Sequence, residues 1–204
     1  MSDNMLTIPH LLVHNSKKYP TEIAMREKKF GVWKTKTWNE VLEEVKAIAI
    51  SLESKGIKDK TTIGIIGNNT TRWVIAEIAA QSLRGVPLGL YADALEKEVE
   101  YLLKLTSCEV VFVEDEEQAD KILSLKDLKE KIKLIVYDEE KGMNKYNDKR
   151  LISYEQLLRN GSEILKKNNE KYSILLEKIK EEDVCIFCPT SGLSLIHISE
   201  PTRL

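Results

Sequence analysis

The chain has little that would let it work by net charge, by covalent cross-links or by crossing a bilayer. Its 31 Lys and Arg stand against 33 Asp and Glu, for a formal net charge of -2. That balance gives no overall electrostatic footprint for nucleic acid or an anionic membrane. Cysteine is scarce and odd in number, at Cys108, Cys185 and Cys188, which argues against a disulfide framework and fits a reducing compartment. No apolar run is long enough to span a bilayer. Met1-Ser2-Asp3-Asn4-Met5 lacks the basic region and apolar core of a secretory signal, so a cytoplasmic protein is expected. No internal repeat or low-complexity segment occurs. What remains is ordinary for a globular chain: 42% apolar and 31% charged residues. The 204 residues leave room for one domain or part of one.

Two spacings suggest metal chemistry, and neither is completed. His10 and His14 lie one helical turn apart, but no acidic or third ligand accompanies them as in H-E-x-x-H. Cys185 and Cys188 form a C-x-x-C without the second pair of ligands that zinc needs. On a strand these two would point to opposite faces, and they are expected to be small buried hydrophobes. The acidic run Glu114-Asp115-Glu116-Glu117 stands where a helix should start, and there it complements the helix dipole.

The pattern along the chain is strands alternating with helices. Thr7 and Pro9 open a helix with an Ile8, Leu11, Leu12 stripe. Glu22–Glu27 and Gly31–Thr37 read as a hairpin turning at Lys28-Lys29-Phe30-Gly31. Thr37-x-x-Glu40 is a capping box for a helix carrying Val41, Leu42, Val45, Ile48, Ala49 and Leu52 inward and ending at Gly56. Thr61–Ile66 is a buried strand followed by Gly67-Asn68-Asn69; its Gly64-x-x-Gly67 is not the G-x-G-x-x-G of dinucleotide sites. A mostly apolar helix follows over Trp73–Leu83, capped by Gly85, and then a strand over Val86–Leu90. Asp93-x-x-Glu96 opens a helix with Leu95, Val99, Leu102 and Leu103 inward. Val110–Val113 and Leu134–Tyr137 are strands around a helix near Ala119–Leu123, and Asp138–Arg150 is a surface loop. Ser153-x-x-Gln156 caps a helix, and Tyr172, Leu175, Leu176 and Ile179 form the stripe of the next. The sum is an α/β fold with a mostly parallel sheet flanked by helices, in which ligands bind beyond the C-terminal strand ends.

One such end stands out. Val184-Cys185-Ile186-Phe187-Cys188 reads as a buried strand that stops at Pro189 and delivers Thr190-Ser191-Gly192. Hydroxyls and glycine-freed backbone N–H groups suit an anion. The tail Leu193–Leu204 does not continue this logic. It back-translates over all twelve residues into an adapter used in transposon-based sequencing libraries. It is expected to be read-through, so the domain is taken as residues 6–192, and the tail, residues 193–204, with its His197, enters no functional argument.

At Thr190-Ser191-Gly192 the chain resembles the AMP-forming acyl-adenylate synthetase superfamily, whose phosphate loop reads Thr-Ser-Gly-Thr-Thr-Gly-x-Pro-Lys-Gly. Pro189 stands where an aromatic residue is usual, and the second half of the loop is replaced by the tail. Other stretches resemble the bacterial long-chain fatty-acid–CoA ligases of that superfamily. They are Arg26–Trp33 with Thr37-Trp38, Ile63–Asn69 with Arg72-Trp73-Val74, Gly89-Leu90-Tyr91, Glu114–Lys121, Ile135–Asp138 and Leu151–Leu157. The resemblance covers Leu6–Gly192 in order and spacing. It implies the first, incomplete part of the large N-terminal domain of such an enzyme. It implies ATP with Mg2+ and coenzyme A, a fatty acid as the other substrate, and Thr190, Ser191 and Gly192 as the start of the ATP phosphate loop. It assigns no catalytic residue here, so the chain alone is expected to be inactive. A fatty-acyl-AMP ligase, another carboxylate-activating member, or a non-catalytic α/β interaction module are the competing expectations. Peripheral contact with the inner face of the membrane is compatible with a fatty substrate.

Overall fold

The structure is a computed structural model and describes residues 7–189. Helix α1 (Ile8–Lys18) and a hairpin of β1 (Ile23–Lys29) and β2 (Val32–Thr37) lead into the long helix α2 (Trp38–Ser54). Then β3 (Thr62–Ile66), α3 (Thr71–Ser82), β4 (Val86–Leu90), α4 (Glu96–Leu105), β5 (Val110–Val113), α5 (Glu116–Ser124), β6 (Leu134–Tyr137) and β7 (Leu151–Ser153) build the main sheet and its crossovers. Helices α6 (Tyr154–Lys167) and α7 (Lys171–Leu176) follow. The main sheet has the order β4-β3-β5-β6-β7, and each pairing is parallel.

Strand periodicity divides the apolar residues between two layers. Ile63, Ile65, Val110 and Phe112 face α1, α2, α3, α6 and α7, where Leu12, Val45, Ile48, Ile75, Leu157 and Tyr172 complete one core. Ile66, Val111, Val113 and Ile135 face α4 and α5, where Val99, Leu103, Ala119 and Ile122 complete the other. Each such side chain contributes on the order of 1.5–3 kcal/mol by leaving water, so both layers anchor the sheet. The Thr37 capping box forms as expected: the Glu40 amide donates to Thr37 Oγ1 at 3.2 Å and the Thr37 amide to Glu40 Oε2 at 2.7 Å. Gly161 brings α6 against α2 so closely that a Cβ there would lie 1.8 Å from the Ala47 carbonyl oxygen. In the second layer the Cys108 thiol accepts the Gly64 amide at 3.2 Å, and burial pushes its pKa up to about 12.

Several expectations move by a residue or a turn. In α1 the buried face is Pro9, Leu12 and Ser16, whereas Ile8 and Leu11 are exposed. The hairpin turns on Phe30-Gly31 alone, both at positive φ (50° and 79°), with Lys29 paired to Val32. That is the two-residue I′ geometry matched to strand twist, so Lys28 and Lys29 extend β1. After α3 the left-handed residue is Arg84 (φ 57°) rather than Gly85. Gly85 instead fits between the Ala80 and Thr61 carbonyls, each 3.1 Å from where its Cβ would be. Helix α4 starts at Glu96, with the Leu95 amide bonded to Glu98 Oε2 at 3.0 Å. Leu95 is exposed there, because Tyr91–Ala94 forms a turn tethered from α5, as described below.

The largest correction concerns Val184–Cys188. This run is not a buried strand. It touches β4 through a single parallel bridge, Leu88 to Phe187, and Val184, Cys185, Phe187 and Cys188 are exposed. The Phe187 amide donates to the Pro87 carbonyl at 2.8 Å and the Gly89 amide to the Phe187 carbonyl at 3.3 Å. One edge of the run is thus paired, and no described strand covers the other.

Candidate functional site

The C-terminal ends of β3, β4, β5 and β6 converge on one rim. After β3, the Gly67-Asn68-Asn69 turn meets the first residue beyond β5: Glu114 Oε2 accepts the Asn68 amide at 2.6 Å and its side-chain amide at 3.0 Å. A Cβ on Gly67 would sit 2.8 Å from Glu114 Cβ, so glycine is what lets the loops touch. The strand order places the reversal of winding between β3 and β5, where doubly wound sheets ordinarily open a ligand crevice. Here Glu114 and Asn68 close it. The first residues of the acidic run therefore act as a clamp and a cap: Asp115 accepts the Gln118 amide at 3.1 Å at the start of α5. Among the described residues no cluster of His, Cys, Asp and Glu could hold a metal ion. His14 is exposed, and His10 Nδ1 shares a 2.6 Å hydrogen bond with Thr7 Oγ1.

Beside the clamp lies a connected set of polar groups. Arg72, in the first turn of α3, pairs with Asp138 just after β6 and with Glu155 in α6. Its guanidinium lies 4.5 Å from the centre of the Tyr154 ring. The Tyr154 hydroxyl donates to Glu44 Oε1 at 2.9 Å, and Glu44 also pairs with Lys36 of the hairpin. Burial opposes the charge on Arg72, but the Asp138 and Glu155 carboxylates outweigh it and raise its pKa. Burial likewise raises the Asp138 carboxyl, against the pull of Arg72. Glu27 accepts the Thr71 amide and hydroxyl, both at 2.9 Å, which docks the hairpin on the start of α3. Those backbone and hydroxyl bonds hold the Glu27 carboxyl below its usual range, against a smaller opposing effect of burial. Beneath Arg72 a small, mostly apolar pocket of about 30 Å³ lies between Thr70, Trp73, Phe112 and Tyr154.

The open space on this rim is one strand over. A cleft of about 500 Å³ lies between Gly67–Asn69, Tyr91–Asp93 and Ile186–Pro189. Its floor includes Gly89, whose Cβ would lie 3.3 Å from the Trp73 ring. The β4 loop is held from α5, with Lys121 Nζ donating to the Ala92 and Ala94 carbonyls at 2.9 Å each and Gln118 Nε2 to Ala92 at 3.1 Å. The third wall, Ile186–Pro189, is aimed by an ion pair. Arg84 grips Asp183 with two bonds of 2.8 Å, and Gln81 Nε2 donates to the Cys185 carbonyl at 3.1 Å. Arg84 draws the Asp183 carboxyl down to about 2. Burial raises the Cys185 thiol.

Of the residues expected at the site, Thr190, Ser191 and Gly192 lie outside the described residues. The structure does carry the chain to the cleft at Pro189, one residue earlier. Arg72, Asp138, Glu155, Tyr154 and Glu44 come together as a set that residue order alone does not show. A charged residue opening an otherwise apolar helix, and an acid directly after a buried strand, were the available signals.

A parallel, doubly wound sheet with an open cleft at its strand ends puts the chain in the class of doubly wound α/β domains. The particular family follows from comparison. The family model described as AMP-binding enzyme matches residues 12–192, and the chain belongs to that family. It is 30% identical over 132 residues to the rat long-chain-fatty-acid–CoA ligase ACSBG2, covering 64% of this chain and 20% of that protein. It is 28% identical over 184 residues to long chain acyl-CoA synthetase 4 of Arabidopsis thaliana, covering 86% of this chain and 27% of that one. Among solved structures, acetoacetyl-CoA synthetase from Streptomyces lividans superposes with a TM-score of 0.66 at 16% identity, over 74% of this chain and 24% of that chain. That likeness shows the fold, the one found in acyl-adenylate-forming enzymes. The chain spans between a fifth and about a quarter of the length of these proteins.

Proposed function

We propose that this chain forms the start of the ATP-handling domain of a long-chain fatty-acid–CoA ligase, an AMP-forming acid–thiol ligase of fatty-acid metabolism. In the proposed reaction a fatty-acid carboxylate displaces pyrophosphate from ATP to give acyl-AMP, and the thiol of coenzyme A then displaces AMP. ATP arrives as its Mg2+ complex, and the metal offsets phosphate charge. None of the described residues is assigned to it. The work left to the protein is positioning and charge neutralisation. Thr190, Ser191 and Gly192 are proposed to receive the ATP phosphates through hydroxyls and backbone N–H groups. The observation that carries this reading is the bridge between Leu88 and Phe187. It lays the chain parallel to β4 and brings Pro189 to the cleft at the strand ends. In the same reading, the clamp of Glu114 on Asn68 and the Arg72 set keep the neighbouring loops in place without touching substrate.

A self-contained interaction module would cover its apolar edge, whereas Val184 and Phe187 are 52% and 39% exposed. This supports the ligase reading over the module. No helix among the described residues is long and apolar enough to cross a membrane. A cytoplasmic enzyme with peripheral membrane contact is proposed.

The test is fatty-acid-dependent exchange of pyrophosphate into ATP by the gene product containing Met1–Gly192. Thr190→Ala and Ser191→Ala together should cut exchange by roughly a hundredfold or more. Unchanged exchange in that double variant would sink the phosphate-loop assignment. Exchange without any acyl-CoA product would move the chain to another carboxylate-activating chemistry. The 204-residue chain alone is expected to form no acyl-CoA, and a measurable yield overturns that part. Genomic sequence continuing Gly192 as Thr-Thr-Gly-x-Pro-Lys-Gly supports the reading, and genomic codons for Leu193–Leu204 remove it.

A further inference from the structure

Two walls of the strand-end cleft are held by one stretch of chain, through side chains of opposite charge. At its start Glu114 grips donors of the β3 loop, accepting the Asn68 amide at 2.6 Å. Further along, Lys121 grips acceptors of the β4 loop, with Nζ 2.9 Å from both the Ala92 and the Ala94 carbonyl oxygens. Gln118 adds a bond to the Ala92 carbonyl at 3.1 Å, and Ser124 Oγ reaches Glu96 Oε1 at 2.8 Å where α4 begins. The β4 loop has little of its own to hold it. No side chain from Tyr91 to Leu95 is buried. Within Tyr91–Ala94 the backbone closes one hydrogen bond, from the Ala94 amide to the Tyr91 carbonyl at 3.2 Å. A tether to two main-chain carbonyls therefore fixes the path of the backbone itself.

We infer that Lys121 is a positioning residue of the ligase reaction, holding the Tyr91–Ala94 wall where substrate is received between it, Gly67–Asn69 and Ile186–Pro189. The inference rests on the ligase reading and adds to it a residue that acts through the loop, since Lys121 does not itself line the cleft. The core closes without this side chain. Helix α5 buries Ala119 and Ile122 in the second layer, while Lys121 sits half-buried in its last turn. Loss of the Nζ donor thus frees the wall and leaves the layer intact. A wall in place about a tenth of the time lowers apparent affinity about tenfold. Losing hydrogen bonds from a charged group supplies an effect of that size. The chemical step proceeds from the complex with the wall in place, so its rate is kept.

The experiment compares Lys121→Met with Lys126→Met in the gene product containing Met1–Gly192. Methionine keeps most of the stem and removes the donor. Lys126 is exposed just after α5, so its variant loses the same charge away from the loop. ATP, fatty acid and coenzyme A are varied in turn. Lys121→Met should raise the KM of one of the three roughly tenfold, with kcat and the other two KM values changing by less than about twofold. Amide exchange at Ala94 should accelerate roughly tenfold while Val111 of β5 is unaffected, and the thermal midpoint should fall by less than about 3 °C. Lys126→Met should leave all of these unchanged. Equal rises in all three KM values, a loss of kcat alone, unchanged kinetics, or the same change in Lys126→Met overturns the inference. So does faster exchange at Val111 together with Ala94, which would make Lys121 a support of the whole layer. An Ala94 amide still protected in Lys121→Met removes the tether whatever the activity. A wild type that forms no acyl-CoA, while Lys121→Met still frees Ala94, counts against the ligase reading and leaves the tether standing.

Discussion

The two flanks of the main sheet have opposite characters. On the β6–β7 side, Leu151–Ser153 is only three residues long and ends on a serine, yet it is paired to β6 along its whole length, from Ile135↔Leu151 to Tyr137↔Ser153. On the β4 side, Val184–Cys188 is the more strand-like sequence, yet it makes one bridge. Strand propensity is a preference for a half-buried pleated surface, and the surface must be supplied. Beta7 receives it because α6 follows at once, with the Ser153 hydroxyl accepting the Gln156 amide at 3.1 Å and Gly161 pressing α6 onto α2. The Val184 run has β4 on one edge and is aimed only by Arg84 and Gln81. One flank is held by packing and the other by a few polar contacts.

The comparison can be broken hardest from the packed flank. Gly161→Val would force a side chain into the Ala47 carbonyl and should cost more than about 3 kcal/mol, read as the shift in urea midpoint. A loss under about 1 kcal/mol would mean that α6 can move away freely, and the contrast would fail. Arg72→Met comes next. It leaves Asp138 and Glu155 without their cation, and breaking such a half-buried network should cost roughly 2–4 kcal/mol. Arg72→Lys should recover part of it, because an ammonium cannot make the same fork and ring stacking.

Arg84→Ala is the corresponding change on the loosely held flank. A global cost of about 1 kcal/mol is expected, but amide exchange at Phe187 should accelerate well beyond exchange in β5. Equal acceleration in both places would show that the run belongs to the global core. The smallest effect is that of acid. Since folding lowers the Asp183 carboxyl from 3.8 to about 2, the Arg84 pair contributes its stabilisation above pH 3.8 and loses it as pH falls through about 2. Phe187 exchange protection, corrected for intrinsic rate and compared with that of β5, should therefore fall selectively between those values. Arg84→Ala should abolish the selectivity.

Much of this was legible from residue order. Val110–Val113 and Leu134–Tyr137 form strands at the positions expected, and the α2 stripe and its Thr37–Glu40 cap appear as periodicity and spacing require. These are local patterns. Their partners in space supply what the pattern leaves open, which is why β7 was missed and the Val184 run overrated. The start of α4 was misplaced because Lys121 and Gln118, one crossover away, hold Ala92 and Ala94 in a turn. Arg72 could be seen as an oddity of α3, but its partners lie 66 and 83 residues further along the chain. Of the candidate site, an open cleft at the strand ends was legible, whereas the run leading to it is not the buried strand expected. The closure of the β3–β5 crevice by Glu114 was not, since an acidic run at a helix start has a sufficient local explanation.

The Cys108 thiol carries a practical consequence. With its pKa near 12 and its sulfur engaged by Gly64, it is closed to alkylating reagents at neutral pH, while Cys185 and Cys188 are exposed. A folded molecule therefore titrates two thiols and an unfolded one three. The third label enters only when the β3–α4 layer opens, so mass spectrometry of the labelled chain gives a clock for sheet opening that needs no introduced cysteine.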